Sequence, residues 1–77
     1  MTFDDLIFTW NPFTDGDEAT YSFPNGYSVF IANGDFTASD EDTYEVTILF
    51  NNKQFGNELE YQTPEDIDTI LSKLEKW

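Results

Sequence analysis

The chain has no cysteine, no histidine and no arginine, and three lysines stand against sixteen acidic residues among its 77. Each absence removes a class of chemistry. Without cysteine there are no disulfides, no thiolate metal sites and no thiol nucleophile. Without histidine there is no imidazole base, and without arginine no guanidinium clamp for a phosphate or carboxylate. Long apolar runs are missing as well: nothing approaches the roughly eighteen residues that a transmembrane helix needs. The opening stretch, MTFDDLIFTW, carries acids where a secretion signal has a basic segment. These features together predict a cytoplasmic protein.

What is present is negative charge, −13 in total. That lies outside the magnitude of about 2 to 8 expected of a small soluble domain. Self-repulsion on this scale opposes compaction, so a purely structural role gives no reason for it. Disorder is excluded by an apolar content of 39% and by regular alternation along the chain. Direct contact with nucleic acid or with an anionic membrane is excluded by repulsion. Length predicts one domain over residues 1–77 that buries only about 60% of its unfolded surface. Eight Phe, four Tyr and two Trp predict a core built by aromatic packing, to which a partner or a second copy in a homodimer would add.

Periodicity predicts an α+β fold: a meandering antiparallel sheet of four or five strands, with one C-terminal helix across a face. A first strand is expected over residues 5–10, with Leu6, Phe8 and Trp10 on one face, ended by Asn11-Pro12. FTDGDEA reads as a polar loop around Gly16. In ATYSFPNGYSVFIANG the length of the hairpin loop can be derived. A two-residue loop at Asn25-Gly26 scatters apolar side chains over both faces. A loop of Pro24, Asn25 and Gly26 pairs Phe23 with Tyr27, Tyr21 with Val29 and Ala19 with Ile31, all on one face. That register strands Phe30 on the polar face. A further strand over 43–50 turns Tyr44, Val46, Ile48 and Phe50 inward, and Asn51-Asn52 is turn chemistry. KQFGNELEY is expected to return antiparallel, interrupted at Gly56-Asn57, with Leu59 and Tyr61 inward and Glu58 and Glu60 outward. Thr63 as N-cap, Pro64 at the first helical position, and Glu65 and Asp66 in the first turn open a terminal helix. Its apolar stripe is Ile67, Ile70, Leu71, Leu74 and Trp77.

Enzymatic machinery is nearly absent, since only carboxylates remain and a chain of this size has little room for a deep, dry pocket. The reading is therefore non-enzymatic, with no cofactor. Calcium is the one metal that carboxylates alone would suit, and DGDE and DED cluster them. Neither stretch has the glycine and closing acid of an EF-hand loop, so no metal site is assigned.

The acids act better as a collective surface. Carboxylates two apart on a strand, such as Glu58 and Glu60, project from one face about 7 Å apart, close to the spacing of neighbouring phosphates. Loops carrying Asp15, Asp17, Glu18, Asp35, Asp40, Glu41 and Asp42 extend the array, and Glu45 projects from the strand that follows SDED. A groove evolved to neutralise phosphates would find such a surface complementary. Capture would be fast and weakened by salt.

In size, acidity and sheet-plus-helix pattern the chain resembles the phage-encoded DNA-mimic inhibitors, among them anti-CRISPR and anti-restriction proteins and uracil-DNA glycosylase inhibitors. The likeness is one of general character, carried by DGDE, SDEDTYEV and NELEYQTPED, and transfers no residue by alignment. It implies a target that is a nuclease or another basic nucleic-acid-binding protein, met in the cytoplasm of a phage's host. Immunity proteins against nuclease toxins are similar in size and charge. A second class of reading is a small assembly protein of a phage or mobile element, with Phe13, Phe30, Phe36, Phe55 and Trp77 forming a docking face.

Overall fold

A computed structural model describes residues 1–77 and gives six strands and one helix. In chain order the strands are β1 (Thr9–Asn11), β2 (Gly16–Ser22), β3 (Tyr27–Ala32), β4 (Tyr44–Phe50), β5 (Lys53–Gln54) and β6 (Leu59–Gln62), and the helix α1 is Pro64–Lys76. All pairings are antiparallel in the order β1-β2-β3-β4-β5, and β6 also pairs with β4. A strand has two edges and β3 occupies one of β4's, so β5 and β6 share the other. They are two pieces of one interrupted return strand, and the sheet is a five-lane open meander with α1 across one face.

The central hairpin has the register that alternation demands. Ala19 faces Ile31 and Tyr21 faces Val29, and the Phe23 N–H donates to the Tyr27 carbonyl across the Pro24-Asn25-Gly26 loop. Gly26 closes that loop at φ +93°. On β4, Val46 and Ile48 continue the same face opposite Ile31 and Val29. Phe30 is left on the far face, flanked in register by Thr20 and Thr47.

α1 begins as its sequence dictates. Thr63 accepts a hydrogen bond from the Asp66 N–H, and the Asp66 carboxylate accepts one from the Thr63 N–H. Its C-terminus is held by the hairpin loop: the Asn25 side-chain amide donates to the carbonyls of Leu74 and Trp77. Between these ends Ile67, Leu71 and Leu74 are fully buried against Val29, Ile31 and Val46. Each such side chain contributes about 1.5–3 kcal/mol of transfer free energy.

Four expectations are corrected. The core is aliphatic rather than aromatic, with Phe23 its only buried ring. One helix on one sheet leaves a thin slot that Ile, Leu and Val fill, and the larger rings sit around its margin. Phe3, Phe8 and Tyr44, for instance, form a triangle with every centroid separation at 5.4 Å. The first strand is shorter than periodicity suggested. The Asp5 carboxylate accepts from the Thr2 N–H, and the Asp5 N–H donates to the Thr2 carbonyl, in a 3-10 turn over Phe3–Asp5, and only Thr9–Asn11 reaches the sheet. Leu6 and Phe8 still pack inward, but Trp10 is exposed. The stretch around Gly16 is no loop, because Gly16–Glu18 are paired with β1 and Glu18 onward with β3. Finally, a register shift between β4 and β6 turns Tyr61 out to solvent at φ +54°, as a bulge does. Glu58 lies just before β6 and Glu60 within it.

Candidate functional site

Two polar connections meet at one end of the sheet: residues 12–15 between β1 and β2, and residues 33–43 between β3 and β4. They are closely apposed. The Asp35 N–H donates to the Thr14 carbonyl at 2.6 Å, and Asn33 bonds Asp17 through both backbone and side chain. Glycine makes the approach possible. A Cβ on Gly16 would stand 2.1 Å from the Asn33 carbonyl oxygen, and one on Gly34, at φ +101°, 2.3 Å from that of Thr14. Gly34→Ala is expected to cost about 2–4 kcal/mol, combining a disfavoured φ with a backbone collision. Urea denaturation reads this directly, and a variant as stable as the parent would show that the loops can part freely.

The second connection is braced at three more points. Thr37 Oγ1 donates to the Gly34 carbonyl, the Ala38 N–H donates to Glu45, and the Ala38 carbonyl accepts from the Tyr61 N–H. SDEDT closes on itself as an Asx turn. Asp40 Oδ1 accepts from the Asp42 N–H and from Thr43 Oγ1, while the Asp40 N–H donates back to that hydroxyl. Part of the acidic run is therefore structural.

Within this frame Asp15, Asp35, Asp40 and Glu41 line one shallow concavity of about 330 Å³. No cation is paired with them, since the one ion pair in the protein joins the N-terminal amine to Glu75. Beside them the exposed rings of Phe13 and Phe36 stack, with centroids 5.5 Å apart and planes 21° from parallel. The carboxylates do not form a metal-ligand set.

The remaining sequence-predicted residues are distributed elsewhere. Asp42 is exposed on the rim of the same turn. Glu45 and Glu18 are on the helix-free face, where Glu45 braces the loop and Glu18 accepts from the Asn11 amide. Glu58 and Glu60 are exposed beside and within β6 and do not line the concavity. Asp17 faces the helix side, where it acts on Tyr44. Burial first, and then the Asp17 carboxylate, push the Tyr44 phenol above its ordinary value. A tyrosine raised on folding stabilises the fold below its unfolded pKa of about 10, and the contribution is lost as pH rises through the folded value. Thermal melts are therefore expected to fall above about pH 10, and to fall less in Tyr44→Phe.

Sequence reasoning missed the Phe13–Phe36 stack, although each ring stands alone in a polar loop, which is the available signal. The cations are segregated from these acids. Lys53 pairs with Phe50, and Lys73 and Lys76 occupy the last turn of α1, so every lysine lies at the end opposite the acidic concavity. There Tyr27 contacts Phe50, Phe55 and Trp77.

No family model matches the chain, and neither does any curated protein or solved structure with which it was compared. No helix is long and apolar enough to cross a membrane.

Proposed function

We propose that this protein is a non-enzymatic inhibitor that occupies the basic nucleic-acid site of a target protein, a nuclease in the first instance, by presenting carboxylates where the target expects phosphates. The observation that carries the reading is the convergence of Asp15, Asp35, Asp40 and Glu41 on one braced, cation-free concavity. Preorganised loops lose little entropy on binding, so the array is worth more than the same acids on a mobile tail. The stacked Phe13 and Phe36 offer a flat apolar surface beside the charges, as stacked bases do beside phosphates. An arginine from the target would be received by both at once. Such a partner is met in the cytoplasm. The cleft of a nuclease toxin has the same chemistry, so an immunity protein is the same mechanism with another target.

Competition tests the proposal. Against a target recovered by affinity capture, the protein should displace DNA or RNA, and its apparent affinity should fall steadily as salt rises. A target that holds protein and nucleic acid together, with neither weakening the other, would sink the mimic reading.

A further inference from the structure

We infer that the protein associates head to tail with copies of itself, the Phe13–Phe36 stack of one copy docking into the apolar groove beside Lys73 of the next. This goes beyond the inhibitor reading and does not depend on it. The groove lies between α1 and the interrupted return strand. It is lined by Ile48, Leu59, Ile70, Leu74 and Trp77, with Lys73 at its mouth, and has a volume of about 210 Å³. A dry apolar cavity of about 150 Å³ accepts a benzene ring, so this groove has room for one phenyl side chain.

The chain itself carries the matching knob. Phe36 is 82% exposed and Phe13 78% exposed, and Asp15 and Asp35 flank them. Lys73 stands at the mouth of the groove, and unpaired carboxylates stand beside the knob. A contact between the two surfaces therefore sets apolar surface on apolar surface and a cation against carboxylates. One copy cannot make this contact internally, because the knob stands on the β1–β2 and β3–β4 loops and the groove lies between α1 and the return strand. Different patches on each copy make the interface heterologous, which closes into a ring or extends as a chain.

Net charge sets the conditions. Two copies of charge −13 repel one another at low salt, and added salt screens that repulsion while leaving the apolar contact in place. Association should therefore strengthen from low salt to several tenths molar, the opposite of the response expected for capture by a basic target.

Sedimentation velocity from micromolar to millimolar protein tests this with two variants. Phe36→Asn removes the knob with a residue that tolerates the φ of +67° found there. Lys73→Glu reverses the charge at the mouth of the groove. Circular dichroism confirms that each is folded. Each alone is expected to associate at least tenfold more weakly than the parent. An equimolar mixture should give a one-to-one dimer and nothing larger, because one variant keeps the groove and the other keeps the knob. Three results would each overturn the inference: a parent chain that stays monomeric at millimolar concentration and moderate salt, a mixture that stays monomeric, or a dimer that both variants retain undiminished.

Discussion

Leu71→Ala is expected to remove most of the stability of this protein. Leu71 has no exposed surface and sits at the centre of a core whose other fully buried members are Val29, Ile31, Val46, Ile67 and Leu74. Truncating a buried leucine costs about 2–5 kcal/mol, because the lost transfer energy is joined by a cavity. A domain of this size seldom has more than about 3–5 kcal/mol to lose. No disulfide or metal-ligand set adds to it, and the net charge opposes compaction throughout. The variant should therefore unfold at a small fraction of the parent's urea midpoint. The matched control is Phe36→Ala, a larger side chain removed from the surface, which should shift stability by no more than about 0.5 kcal/mol. Equal effects from the two would mean that the aliphatic slot is not what holds the fold together.

Neutralising Asp15, Asp35, Asp40 and Glu41 to their amides should separate binding from stability more sharply than any other change. Each carboxylate matched to a target cation is worth on the order of 1 kcal/mol, so losing four weakens binding by roughly a thousandfold. The same change removes four mutually repelling charges from one concavity, so the fold should become slightly more stable. Asparagine at position 40 keeps an oxygen to accept from the Asp42 N–H and from Thr43 Oγ1, which preserves the Asx turn. Binding isotherms against the captured target and urea titrations of the free protein report the two effects independently. Unchanged affinity in a folded variant would move the interface elsewhere on the molecule.

The parts of the fold legible in the sequence are those fixed by neighbours. Pro24, Asn25 and Gly26 specify a loop length, and the alternation on either side specifies the register. Thr63, Pro64 and Asp66 start a helix through contacts within four residues. Illegible features depend on distant partners. Trp10 has the right parity for the core but lies beyond the reach of α1. Tyr61 is turned outward by a bulge whose cause is the pairing with β4. The acidic site divides the same way. The Asp40–Thr43 turn is local, an acid and a hydroxyl three residues apart, although the sequence reading assigned Asp40 to the array alone. The meeting of Asp15 with Asp35 and Glu41 depends on two loops brought together through Gly16 and Gly34, and composition cannot tell that meeting from a scatter of solvated acids. Glu45 shows the cost of the ambiguity, since its charge is used within the fold to fasten Ala38.

Asn25 joins two segments that are 49 residues apart along the chain. The hairpin around it is local and forms in microseconds. The helix stop it grips exists only once β4, β5 and β6 have been laid down and α1 has swung back over them. Closing that long stretch is the slow, entropically uphill part of folding. The amide's bonds to the Leu74 and Trp77 carbonyls therefore tie the tip of a local hairpin to the end of a helix that only the completed sheet can position.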